Sequence, residues 1–286
     1  MAHLRQALKF SLSVAFASSV GILVGNTDKF LLSKILTLAD YGYFTLATLV
    51  ASGVLVVSGP IAAAILPKMV KLEAQGDSVG LIQIYRQATQ VVAVIASAVS
   101  LTMAYFAEPL MWIWTGDAIL ANQVAPVLTS YALGNGVLTL GAFPYYLQYA
   151  KGNLRLHLIG NLVFVFLLIP AIAVATIKFG GLGAGYVWLG MNIIFFIVWL
   201  PIIHRKFAPG LNCKWYLQDI LTIVIPVIIT GYGLSRYLPI GDSRWMILIQ
   251  LVLIGLFTML VGSGASSVMR GRLIIWTTRR MKWSRV

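Results

Sequence analysis

Long apolar runs alternate with short polar breaks along the whole chain. They fall at about 8–35, 43–66, 88–110, 124–149, 156–177, 183–203, 218–238 and 245–265. An apolar run of about 20 residues is long enough, as a helix, to cross the hydrocarbon core of a bilayer. The two-residue alternation of a membrane barrel is absent from these runs. In lipid each backbone amide and carbonyl must be satisfied inside its own segment, which a continuous run achieves as a helix. The predicted fold class is therefore all-α, a polytopic transmembrane helix bundle of about eight spans.

The polar breaks differ in charge. With the N-terminus in the cytoplasm, 16 of the 21 basic residues lie on the inside segments, including Lys68, Lys71, Arg86, Lys151, Arg155, Lys206 and Lys214. Lys178, Arg236 and Arg244 fall on the outer loops, and Lys29 and Lys34 belong to the first span. This positive-inside pattern predicts that both termini are cytoplasmic. The polar connection 204–217, with Pro209-Gly210, divides a six-helix lobe (1–205) from a blander terminal helix pair (206–265). A basic tail (266–286) containing Trp276 and Trp283 follows. The tail is expected to touch anionic lipid headgroups. Pro67 is expected to end the second span and open the longest cytoplasmic loop, about 67–87. Arg5 and Lys9 precede Ala15-Phe16-Ala17, as in a cleaved leader, but the apolar run continues through Gly21–Val24, so a retained helix is expected.

Composition narrows the function. Of 286 residues, 59% are hydrophobic and 10% charged, against roughly 25% charged in a soluble domain. The net charge of +13 sits on one side of the predicted membrane, so nucleic acid is not an expected partner. Cys213 is the single cysteine, which leaves no intramolecular disulfide and no cysteine metal site. His3, His157 and His204 show no ligand spacing. Glu108-Pro109 and Thr115-Gly116-Asp117, beside Trp112 and Trp114, read as an interfacial cap and turn. No nucleophile elbow or dense set of ionisable groups is visible, so no catalytic residue, metal or cofactor is expected.

Candidate chemistry lies in the few polar groups inside the spans. Asn26-Thr27-Asp28-Lys29 and Ser33 interrupt the first run. An ionisable residue at membrane depth usually faces a cavity or a partner. Asn26, Lys29 and Ser33, three and four residues apart, share a helix face. Either this helix lines an aqueous path that Asp28 and Lys29 face, or the span ends near residue 27 and both sit at the outer interface. Pro60 and Pro144 are candidate bending points, because proline frees a carbonyl in a membrane helix; passive packing is the other reading. Tyr145, Tyr146, Gln148, Tyr149 and Lys151 form a polar, aromatic cluster near the cytoplasmic side. Tyr145 and Gln148 lie deeper and suit a cavity wall. Tyr149 and Lys151 fit an aromatic belt with a snorkelling lysine as well as a phosphate contact. Gly180-Gly181-Leu182-Gly183-Ala184-Gly185 lacks the Lys-Ser/Thr of a phosphate loop and reads as close helix packing.

The order of several motifs resembles the second half of the polysaccharide-transporter branch of the multidrug/oligosaccharidyl-lipid/polysaccharide flippase superfamily, which includes Wzx-type O-antigen flippases. They are Asp28-Lys29-Phe30-Leu31-Leu32-Ser33-Lys34, Ala39-Asp40-Tyr41-Gly42-Tyr43-Phe44, Ile65-Leu66-Pro67-Lys68 with Gln75-Gly76-Asp77, Trp114-Thr115-Gly116-Asp117, Gln148-Tyr149-Ala150-Lys151-Gly152-Asn153 and Gly180-Gly181-Leu182-Gly183-Ala184. Together they cover about residues 8–205. The resemblance implies a lobe in the bacterial cytoplasmic (inner) membrane that faces a similar lobe across a central cavity. By alternating access the pair would move an undecaprenyl-diphosphate-linked oligosaccharide outward for polysaccharide or lipopolysaccharide biosynthesis. Cavity cations would hold the diphosphate, and Asp28 and Lys29 match the family's charged position in this helix. Family members have twelve or more spans, so a second lobe from another chain, or a second copy of this one, is the expected partner. Alternatives are a cation or drug exporter of the same superfamily, a membrane-embedded glycan polymerase, and a non-transporting scaffold or relic.

Overall fold

The computed structural model describes residues 2–241 and 243–271, with side chains continuous from residue 25 apart from that gap. The described residues are almost all helical and include no strand. In chain order the helices are α1 (Ala2–Ile35), α2 (Leu38–Ala51), α3 (Ser58–Ala74), α4 (Ser78–Tyr105), α5 (Ala107–Thr115), α6 (Ala118–Leu140), α7 (Phe143–Ala150), α8 (Arg155–Phe207), α9 (Asn212–Lys214), α10 (Thr222–Tyr237) and α11 (Arg244–Ala265). Six continuous helical stretches among the described residues are long and apolar enough to cross a membrane. The longest of them, α8, is two helices. Gly180 (φ 60°, ψ −147°) breaks it, a combination that essentially only glycine adopts.

The two arms of α8 fold back on each other. Phe164 packs edge-on against Phe195 at 5.3 Å and against Trp188 at 6.2 Å. Close to the bend, a Cβ on Gly183 would stand 2.2 Å from the Ala175 carbonyl oxygen. The glycine run therefore serves close packing, as its spacing predicts. Counting both arms, with α1 long enough at 34 residues for one more crossing, the described helices offer eight segments of membrane-crossing length, the number expected from the apolar runs. The chain is a multi-pass membrane protein.

Three boundaries differ from expectation. Pro67 does not end its helix: α3 continues to Ala74, α4 already starts at Ser78, and the expected loop 67–87 shrinks to 75–77. Charged Lys68, Lys71 and Glu73 alternate there with Met69, and Leu81 and Tyr85 follow. The last three are fully buried, so an amphipathic pair of turns extends the hairpin beyond the apolar run. The third span splits at Phe106 (φ −118°, ψ 33°) into α4 and α5. Pro109 has no amide to donate to the Tyr105 carbonyl and its ring crowds that oxygen. Of the basic tail, residues 272–286, including Trp276 and Trp283, lie outside the described residues.

α6 is the central helix, packing on α2, α4, α5 and α8, while α10 and α11 pack on α4 and on each other. One buried core, around Leu32, Phe44, Leu128, Tyr131, Leu168 and Trp188, occupies the end of the bundle near the Gly180 bend. A second, around Met69, Leu81, Tyr85, Phe143, Leu147 and Trp215, occupies the end with the turns 75–77, 151–154 and 208–211. That second end carries Lys68, Lys71, Arg86, Lys151, Arg155, Lys206 and Lys214 and is the basic end.

Candidate functional site

Asp28 and Lys29 part company in α1. Asp28 is 4% exposed and points into the bundle, where its Oδ2 accepts a 2.7 Å hydrogen bond from the Tyr131 hydroxyl of α6 and its Oδ1 accepts from the Lys29 amide at 2.8 Å. Tyr131 stacks on Trp188 and meets Phe44 edge-on. Lys29 stays half-buried on the other side, its Nζ donating to Asn26 Oδ1 at 3.4 Å, and Ser33 is exposed with its hydroxyl turned back to the Phe30 carbonyl. The shared face of Asn26, Lys29 and Ser33 thus looks outward from this chain. The expectation that Asp28 and Lys29 face one aqueous path does not describe this arrangement. Positions 28 and 29 are about 100° apart round a helix, and Tyr131 draws the carboxylate inward.

Beside this contact, Asn135 of α6 joins α2 to α8. Its Nδ2 donates to the Ala51 carbonyl at 2.9 Å, and its Oδ1 accepts from Trp188 Nε1 at 2.9 Å. Ala51 is where α2 gives way to a 3-10 turn (Ser52–Val57) ahead of Pro60. Pro60 cannot donate to the Val56 carbonyl, so the α pattern is interrupted there. Pro144 lies in the first turn of α7, just after the break at Gly141–Ala142. Both prolines sit at irregularities of the backbone.

Between those two irregularities and α8 lies a cavity of about 330 Å³. Leu55 and Ser58 close one side; Thr139, Tyr145 and Tyr146 come from the α6–α7 break; His157, Asn161, Asn192, Phe195 and Trp199 come from the two arms of α8. Tyr145 and His157 have ring centroids 4.4 Å apart, and Phe195 and Trp199 stack at 5.4 Å. Asn161 Nδ2 contacts His157 Nε2 at 3.1 Å. The wall is aromatic with a few polar groups, the usual make-up of a small-ligand pocket. Two of those groups, Thr139 Oγ1 and Trp199 Nε1, are buried without any hydrogen-bond partner. Buried polar atoms are nearly always paired, so both are exceptions; Trp199 Nε1 packs against Gly160, where an added Cβ would stand 2.4 Å from it. Among the described residues no group of His, Cys, Asp and Glu is arranged to hold a metal ion.

Two further candidate residues, Gln148, expected on a cavity wall, and Lys151, expected at the interface or on a phosphate, stand outside this cavity. Gln148 is fully buried, but its Nε2 donates to the Pro144 carbonyl and its Oε1 accepts from the His157 amide at 2.9 Å. That amide belongs to the first turn of α8, which has no partner within its own helix, so Gln148 acts as a cap and leaves the cavity wall to Tyr145. Lys151 pairs with Glu73 of α3 at 2.9 Å, below the cavity at the basic end.

Sequence reasoning missed a further constellation. Asp219 is fully buried in a π-helical turn (Trp215–Leu221) ahead of α10. Arg86 of α4 grips it through Nε at 2.6 Å and Nη2 at 3.0 Å, and Gln90 Nε2 adds a bond at 2.6 Å. Gln90 Oε1 in turn accepts from the Ser266 hydroxyl at 2.8 Å. The terminal pair is therefore clasped to α4 through buried charge and is not the bland element its composition suggests. Asp219 is the one acid in its apolar run, a signal of the kind that singles out Asp28.

Residues 1–121 match the family model described as Polysaccharide biosynthesis protein. The match spans α1 to α5 with Asp28, Lys29, Pro60 and Arg86, and ends before Tyr145, His157 and Trp199. No curated protein matches the chain.

Proposed function

We propose that this chain is one lobe of a transporter that moves a lipid-linked oligosaccharide across the bacterial cytoplasmic membrane, with the α6–α7–α8 cavity meeting the sugar. The observation that carries the reading is the aromatic wall of the cavity, Tyr145, Tyr146, Phe195 and Trp199, set with the polar side chains of His157, Asn161 and Asn192. Sugar rings offer apolar faces to aromatic side chains and hydroxyls to polar ones. The similarity of residues 1–121 to polysaccharide biosynthesis proteins supports a glycan over other neutral ligands. The loop charges favour cytoplasmic termini. The outward face of Asn26, Lys29 and Ser33 suits contact with a second lobe. The chain works by binding and release, without a catalytic step, and an ion gradient or the membrane potential drives it.

Flipping of an undecaprenyl-diphosphate-linked saccharide in proteoliposomes, with and without a candidate second lobe, tests this. Tyr145→Leu removes an aromatic face from the wall, and Asn161→Leu removes a polar group at nearly constant size. Both side chains are half-buried on the cavity wall, so the fold should survive, while transport at limiting substrate should fall about three- to tenfold for each lost contact. Stable variants that transport like the parent, or no flipping under any condition, would overturn the proposal.

A second reading, export of a small cation, is favoured by one observation: Asp28 faces Tyr131 rather than pairing with Lys29. Loss of drug resistance in Asp28→Asn cells with normal surface glycan would select it.

A further inference from the structure

A second recess, of about 650 Å³, opens at the basic end where α8 passes into α9. Part of its wall is apolar and buried, through Leu81 and Leu211. Four cations stand around it, namely Arg86, Lys151, Lys206 and Lys214, and none of the described residues lining it is acidic. Arg86 and Lys151 are matched from outside the recess by Asp219 and Glu73. Neither Lys206 nor Lys214 has an ion-pair partner among the described residues. Asp77, adjacent to the lining residue Ser78, turns a carboxylate oxygen to the Gly80 amide at 2.8 Å as the cap of α4. That carboxylate offsets the positive end of the α4 dipole, so the recess owes its positive field to the side-chain cations.

The geometry points to a binding site for a phosphate-bearing anion in this recess, with Lys206 and Lys214 as its free cations and Arg86 and Lys151 as fixed ones. Like charges drawn around a concave surface repel unless an anion enters. Lysine ammonium groups suit a phosphate as point charges. The apolar stretch of wall beside the cations suits an amphiphile at the membrane boundary, so a lipid headgroup and a soluble phosphate compound share the chemistry. The site is separate from the aromatic cavity: Lys206 follows Trp199 by seven residues of α8, about 10 Å along the helix. It stands whether or not the chain transports glycan.

The test uses the full chain in neutral detergent. Native mass spectrometry reads binding of phosphatidylglycerol against phosphatidylcholine, and calorimetry reads binding of inorganic pyrophosphate. Preference for phosphatidylglycerol assigns a lipid headgroup, and pyrophosphate binding assigns a soluble phosphate; either supports the site. Lys206→Ala/Lys214→Ala should weaken the bound ligand about thirtyfold, taking each lysine at the strength of a basic residue near an anionic surface. Both side chains are exposed and without an ion pair, Lys206 resting only over the Phe207 ring at 5.4 Å, so the melting temperature should barely move. Lys178→Ala, a change in an exposed lysine near the Gly180 bend, should bind like the parent. Binding of neither probe, an unaffected double variant, or an equal loss in Lys178→Ala would overturn the proposal.

Discussion

Asp28 and Asp219 are both acids inside helices that cross the membrane, and they are held by different means. Asp28 has a phenol and a neighbouring amide as partners, whereas Asp219 has a two-point guanidinium contact and an amide. Removing one partner of a buried ion pair costs about 3–5 kcal/mol because the other charge is stranded. Arg86→Ala, which strands the fully buried Asp219, should therefore lower the midpoint of thermal unfolding in detergent sharply. Tyr131→Phe should cost less, about 1–3 kcal/mol, as the loss of one hydrogen bond to a buried group. Similar midpoints for the two variants would contradict this ranking. An ion in an apolar run made Asp28 visible in the sequence. Its direction was not visible, because the polar neighbours Asn26, Lys29 and Ser33 mark the opposite side of the helix. Arg86 reads as one more loop cation until the 133-residue separation from Asp219 is closed by folding.

At the scale of elements, glycine and proline place the breaks, and their local context decides which kind. The hairpin of α8 rests on Gly180. Gly180→Ala should destabilise the protein by about 1–3 kcal/mol, because a Cβ disfavours its backbone region. Nothing lies within 4 Å of the added Cβ, so the cost would come from the backbone alone. Equal stability by thermal melting would show that the bend tolerates another conformation. Gly190→Ala, in open space within a helical arm, is the matching control and should be neutral or slightly stabilising. The glycine cluster was legible as packing. Pro67 was misleading, because buried Met69 and Leu81 on either side of the turn reward continuing the helix. The π-helical turn at Trp215–Leu221 leaves no mark in an apolar pattern, since it shifts the register of a helix without changing its composition.

At the scale of the molecule, the bundle and its number of crossings follow from hydropathy, because each span satisfies its own backbone and needs no distant partner to form. The cavity does not follow. Its walls come from residues 55–58, 137–146, 157–161 and 192–203, and only packing around α6 brings them together. Tyr145 was singled out by the aromatic cluster near it, whereas His157, Asn161 and Trp199 lie in runs that look like ordinary lipid-facing helix. The account rests on this cavity being occupied by the sugar of a lipid-linked substrate. Protection of a thiol there measures that directly. In a Cys213→Ser background, with Tyr145→Cys on the wall and Lys178→Cys as a remote control, the account predicts that lipid-linked oligosaccharide slows aqueous maleimide labelling at position 145 and leaves position 178 unchanged. Equal labelling at position 145 with and without substrate, at concentrations that support flipping, would contradict it.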